Sequence, residues 1–145
     1  MEKRVIVALD TDNLKKAGLL IEALAPYTAC FKIGLELITS VGGPQAVRFI
    51  HERGGKVFYD AKFLDIPNTV ECAVLALALQ NVKMLSVYCS GGPEMMELAS
   101  LASLHTPNQP LILGVTVLTS LNFDDLVLSS FLKEMDVSNF EAYQK

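Results

Sequence analysis

Asp60, Lys62 and Asp65 fall within six positions in the stretch Asp60-Ala61-Lys62-Phe63-Leu64-Asp65, directly after the apolar run Val57-Phe58-Tyr59. Two acids and a lysine this close suit proton delivery and the stabilisation of developing negative charge, because neighbouring carboxylates favour the charged ammonium. In a strand, residues two apart share a face, which would turn Asp60 and Lys62 the same way and leave Asp65 on the following turn. The competing reading is a surface ion-pair network whose strand-end acids simply cap helices.

Other polar residues stand at similar places. Asp10, Lys32, Ser90 and Thr119 each lie at or just past the end of an apolar run. Asp10 could equally cap the first helix, and Lys32 could be a strand residue whose stem is buried and whose head reaches water. Ser90-Gly91-Gly92-Pro93 reads either as an anion-friendly helix start or as a plain turn and cap. His51 and His105 lie away from these motifs and are expected at the surface, Met95 and Met96 suit helix packing, and Cys72 and Cys89 suit small buried positions.

The elements that must position these groups follow from hydrophobic periodicity. Strands are predicted at 5–9, 29–33, 57–61, 84–88 and 111–116. Helices are predicted at 13–25, from Pro44 to Gly54, at 68–79, from Pro93 towards Leu104, and after Phe123. The strand ends recur every 23 to 29 residues, the spacing of right-handed βαβ units on a parallel sheet. Two closures compete, an open doubly wound sheet and a (β/α)8 barrel. No G-x-G-x-x-G follows the first strand, and polar groups at successive strand ends favour the barrel.

A complete barrel usually needs about 200 residues or more, whereas this chain of 145 shows about five βα units. Ser138-Asn139-Phe140-Glu141 is a capping-box pattern shortly before Lys145. Residues 1–145 are therefore read as one domain, an incomplete barrel cut as a further helix begins; the alternative is a frayed tail. An unclosed parallel sheet would leave strand edges and an apolar face unprotected, so poor solubility, or rescue by a second half, is expected.

Bulk properties remove several classes. A net charge of -4 carries no basic footprint for nucleic acid. Apolar runs such as Val5–Leu9 are too short to span a bilayer, and no signal pattern precedes them. Cys30, Cys72 and Cys89 are odd in number and lack a C-x-x-C pattern, which argues against disulfides and zinc and for a reducing, cytoplasmic setting.

With these residues in view, the chain resembles the orotidine 5′-phosphate decarboxylase family. The resemblance runs from Val5 to about Leu126, through Ala8-Leu9-Asp10, Phe31-Lys32-Ile33-Gly34, Asp60 to Asp65 continued by Ile66-Pro67-Asn68-Thr69, Ser90-Gly91-Gly92, and Val115 to Ser120. It implies a (β/α)8 TIM barrel of the ribulose-phosphate-binding type and a homodimer. It also implies decarboxylation of orotidine 5′-phosphate to uridine 5′-phosphate in de novo pyrimidine biosynthesis, with no metal or organic cofactor. By resemblance, Lys62 matches the proton donor and Asp60 its neighbouring carboxylate. Asp65 and Thr69 match residues reaching into the partner subunit's site, Asp10 and Lys32 the pair holding the ribose hydroxyls, and Thr119 a position near the pyrimidine.

The chain departs from the family pattern at Tyr88-Cys89, where histidine-alanine is usual, and at Ala61, where a bulkier residue is commoner. Nothing after Leu126 matches the phosphate-gripping arginine and glycine, so this chain alone is expected to lose much of its rate. Two alternatives remain: a magnesium-dependent sugar-phosphate decarboxylase or synthase sharing D-x-K-x-x-D, and an inactive half-barrel that binds a partner or nucleotide.

Overall fold

A computed structural model describes residues 4–128. The chain divides into two compact units, one ending at Val115 and one beginning at Thr116. The first carries β1 (Ile6–Ala8), α1 (Leu14–Leu24), β2 (Cys30–Ile33), α2 (Leu35–Val41), α3 (Gly43–His51), β3 (Val57–Phe63), α4 (Pro67–Ala78), β4 (Met84–Tyr88), α5 (Gly92–Leu104) and β5 (Leu111–Val115).

All five strands are parallel, in the order β1-β2-β3-β4-β5. A doubly wound sheet reverses its strand order part-way, whereas a barrel adds each strand on the same side of the last. The unbroken order decides between the two closures. With right-handed crossovers it also lays every helix on the same face of the sheet.

Alternation along the strands divides that sheet chemically. Phe31, Ile33, Val57, Tyr59, Leu85 and Val87 face the helices and are buried, packed with Ala17, Ile21, Val47, Ile50, Val74 and Met95. Each large side chain so buried contributes about 1.5–3 kcal/mol. Lys32, Asp60 and Ser86 occupy the alternate positions and therefore share the opposite face. Beside the edge strands β1 and β5, that arrangement leaves Ile6 41% and Leu111 53% exposed.

Local chemistry explains the helix boundaries. Asn13 caps α1, its Oδ1 accepting from the Lys15 and Lys16 amides at 2.8 and 3.4 Å. The cap of the first helix is thus Asn13 and not Asp10. α2 was not expected, because the β-branched residues of Leu35-Glu36-Leu37-Ile38-Thr39-Ser40-Val41 read poorly as helix. There the Thr39 and Ser40 hydroxyls donate back to the carbonyls of Leu35 and Glu36, at 2.6 and 2.8 Å, and only Leu37 is buried. Gly43 opens α3 against β3, where a Cβ would overlap the Tyr59 hydroxyl.

Two expectations about cysteine placement change. Cys72 is exposed and Cys89 only half-buried. Val70 and Val74 take the inward face of α4, and Cys72, two residues from each, points away from it. The methionine expectation stands for Met95, which is fully buried.

The second unit contains α6 (Phe123–Leu128). Asn122 and Asp125 cap its start reciprocally, each side chain accepting from the other's backbone amide at 3.0 Å. The capping-box pattern expected at 138–141 lies outside the described residues. Among the described residues, no helix is long and apolar enough to cross a membrane.

Candidate active site

Three neighbouring strands converge on one charged cluster at their carboxyl ends. Asp10 follows β1, Lys32 sits near the end of β2, and Asp60 and Lys62 close β3. The Lys32 Nζ lies 3.4 Å from Asp10 Oδ1 and 3.7 Å from Asp60 Oδ2. The Lys62 Nζ donates to both oxygens of Asp60, at 3.0 and 2.9 Å. The result is an acid-lysine-acid-lysine chain that alternates in sign across the sheet.

The expected sharing of a face by Asp60 and Lys62 is realised, but through an irregular strand. β3 runs on to Phe63, two residues beyond the expected end, and carries a register shift against β4 between Tyr59 and Phe63. Within that bulge Lys62 adopts φ +53°, a left-handed conformation uncommon for a residue with a side chain. Such backbone costs on the order of 1–3 kcal/mol and persists only where its surroundings hold it.

Burial is graded along the chain. The Asp60 side chain is 13% exposed, between Lys32 at 26% and Lys62 at 29%, whereas Asp10 is 68% exposed. Burial by itself pushes the Asp60 carboxyl upward. Hydrogen bonds from Lys62 and Ser86, with the charges of Lys62 and Lys32, outweigh it and hold the carboxyl below the ordinary carboxylate value. Asp60 therefore stays ionised as the anion between two cations.

Asp65 stands apart from this cluster. It is exposed, its Oδ1 accepts from the following Ile66 amide at 2.7 Å, and among the described residues it makes no ion pair with Lys62. Within this chain one acid, Asp60, meets the Lys62 ammonium. The turn after Phe63 carries Asp65 away from the ammonium. Thr69 is exposed on the first turn of α4, and Thr119 is exposed in the second unit. Ser90 lies in a 3-10 turn, Cys89–Gly91, that leads into α5 without a side-chain cap.

Ser86 is the residue that sequence reading missed. It lies in the middle of β4, 1% exposed, and its Oγ donates to Asp60 Oδ1 at 2.8 Å. A lone serine between apolar neighbours carries one available signal, its place on the face that Lys32 and Asp60 share. Its partner depends on the register between β3 and β4, which sequence does not display.

A cleft of about 400 Å³ opens at the other end of the strands, lined in part by Cys30, Lys56 and Lys83. It lies at the amino-terminal end of the sheet, the end that serves stability in β/α barrels, and it contains none of the clustered acids. Among the described residues, no group of three or more His, Cys, Asp or Glu could hold a metal ion.

The chain and its fold have counterparts among known proteins. The family model described as Orotidine 5'-phosphate decarboxylase / HUMPS family matches residues 3–143. The chain belongs to that family. An orotidine 5'-phosphate decarboxylase of Moorella thermoacetica is 46% identical over 129 residues, covering 85% of this chain and 50% of the relative. One from Vibrio cholerae is 44% identical over 126 residues, covering 86% of this chain and 54% of the relative. The chain thus spans about half the length of the curated relatives it matches.

Solved structures agree on the architecture. The crystal structure of orotidine 5'-phosphate decarboxylase from Lactobacillus acidophilus aligns with a TM-score of 0.80 at 31% identity, over 95% of this chain and 63% of that one. The enzyme of that name from Pyrococcus horikoshii, at 19% identity and a TM-score of 0.72, extends the likeness of fold. The family's fold is the β/α barrel, and the five-stranded sheet is a portion of it.

Proposed function

We propose that this chain supplies the acid-lysine half of an orotidine 5′-phosphate decarboxylase, forming uridine 5′-phosphate in pyrimidine biosynthesis in the cytoplasm, without metal or organic cofactor. The observation that carries the reading is the Lys62 ammonium held on Asp60 at 2.9 Å, at a strand end, in a chain of this family. Loss of carbon dioxide from the pyrimidine ring leaves a carbanion with no adjacent carbonyl to absorb its charge. A preorganised ammonium stabilises that charge and then quenches it with its proton. Asp60 orients the ammonium and, through Lys32, links it to Asp10.

Asp10 and Lys32 are assigned to the ribose hydroxyls and Thr119 to the pyrimidine. Asp65 and Thr69 are assigned to the site of a partner subunit in a homodimer. Two features support the dimer. Asp65 makes no pair with the ammonium of its own chain, and it is flanked by Leu64 and Ile66, 55% and 66% exposed, apolar surface that a partner subunit would cover.

The test is an assay of orotidine 5′-phosphate consumption by this chain alone and mixed with a carboxyl-terminal half-barrel of the Moorella relative. Turnover in the mixture that Lys62→Ala abolishes is the expected result. No turnover in a mixture shown to associate would overturn the assignment. Turnover of this substrate that a chelator abolishes would overturn the metal-free part of the proposal.

A further inference from the structure

The bulge that carries Lys62 is opposite one residue of β4. β3 advances from Tyr59 to Phe63 while β4 advances only from Leu85 to Val87, so Ser86 faces the surplus backbone. Its Oγ accepts from the Lys62 amide at 2.9 Å and donates to Asp60 Oδ1 at 2.8 Å. A backbone N–H can only donate, so the serine oxygen must accept there. Its single proton is then committed to the carboxylate. At 1% exposure no bulk water replaces either bond.

We infer that Ser86 is the positioning residue of the site: it pins the left-handed backbone of Lys62 and orients the Asp60 carboxylate that receives the ammonium. One hydroxyl thereby holds both members of the pair from a different strand, and it offsets the cost of the conformation at Lys62. Oδ1 of Asp60 is engaged by Ser86 and Lys62, and Oδ2 remains for Lys62 and Lys32. The catalytic meaning of this role rests on the function proposed above; the geometry does not.

Substitutions at position 86 separate positioning from space-filling. Cysteine conserves the volume but is a weak donor and acceptor, whereas threonine keeps the hydroxyl and adds a methyl group. The isotope-labelled chain would be followed by NMR, reading the Asp60 carboxyl titration and the exchange rate of the Lys62 amide. Lys62 and Lys32 are the cations facing Asp60, and Asp10 lies beyond Lys32. All three are unchanged in both variants.

Ser86→Cys is expected to raise the Asp60 titration midpoint and to speed Lys62 amide exchange about tenfold, the loss of one hydrogen bond near 1.4 kcal/mol. Ser86→Thr is expected to keep both near the unsubstituted values. In the mixed-half assay, kcat should fall more than KM for the cysteine variant, with threonine restoring it. An unchanged cysteine variant, or a threonine variant disturbed as much as cysteine, overturns the role. If the cysteine variant does not fold, the unsubstituted chain decides: a protected Lys62 amide supports the role, and exchange at the rate of an unstructured peptide overturns it. Absent turnover in every sample, with the NMR results as expected, would sink the proposed decarboxylase and leave Ser86's positioning of the pair intact.

Discussion

Lys62 meets Asp60, two residues earlier on its own strand, at 2.9 Å across a bulged backbone. This short-range ion pair is also the most strained point of the sheet, since Lys62 alone among the described strand residues has positive φ. The proton donor proposed at Lys62 would need a fixed approach more than a stable backbone, and strain at such positions is offset by surrounding contacts.

Lys62→Ala in the complemented barrel should abolish turnover while leaving binding of uridine 5′-phosphate within a few-fold. Calorimetric titration with the product nucleotide, beside the turnover assay, checks both halves. Retained turnover would count against the proton-donor assignment.

Asp60→Asn should destabilise the chain by about 1–3 kcal/mol at neutral pH, because two lysines lose their shared anion. The effect has a signed pH dependence. The folded-state value of Asp60 is depressed, so between it and the unfolded value the unfolded chain binds more protons. The contribution of Asp60 is therefore fully present above about pH 4 and is lost as pH falls through the folded value. Urea unfolding across a pH series should show the gap between the two chains closing in acid. A gap independent of pH would contradict the ion-pair account.

His51, at the end of α3, is half-buried, and burial lowers its pKa. A histidine held neutral in the fold stabilises above the unfolded value near 6.5 and loses that stability as pH drops below it. His51→Gln should flatten the decline in melting temperature between about pH 7.5 and 5.5. An identical decline in both chains would assign it to other groups.

Gly43→Ala should cost about 1–3 kcal/mol through overpacking against Tyr59. Tyr59→Phe in the same chain should recover part of that loss by removing the overlapped hydroxyl. Chemical denaturation of the single and double variants measures the coupling, and additive effects would rule out the contact as the cause.

Subunit mixing tests the assignment of Asp65 across a dimer. Lys62→Ala and Asp65→Ala subunits, each inactive alone and complemented with the carboxyl-terminal half, should recover about a quarter of the unsubstituted rate when mixed at random. Half the dimers would then hold one intact site. No recovery, with exchange of subunits verified, would return Asp65 to its own subunit.

Much of the site was legible as sequence because its parts are local. Asp60 and Lys62 are two residues apart, and the strand ends at Asp10 and Lys32 follow from apolar runs whose length and spacing need no partner to be read. The strand periodicity likewise implied parallel βα units. α2 escaped because its β-branched residues disfavour the helix it forms. Cys72 escaped because the inward face of α4 belongs to Val70 and Val74.

The sequence by itself therefore determined which charged groups stand at which strand ends, and the repeating units that carry them. Tertiary structure alone decided the unbroken strand order, the bulge that turns Lys62 onto Asp60, the separation of Asp65 from that pair, and the hydroxyl of Ser86 that holds it. The physical reason is range. Periodicity and charge spacing act along the chain, whereas register and the left-handed backbone at Lys62 depend on a neighbouring strand 24 residues further on.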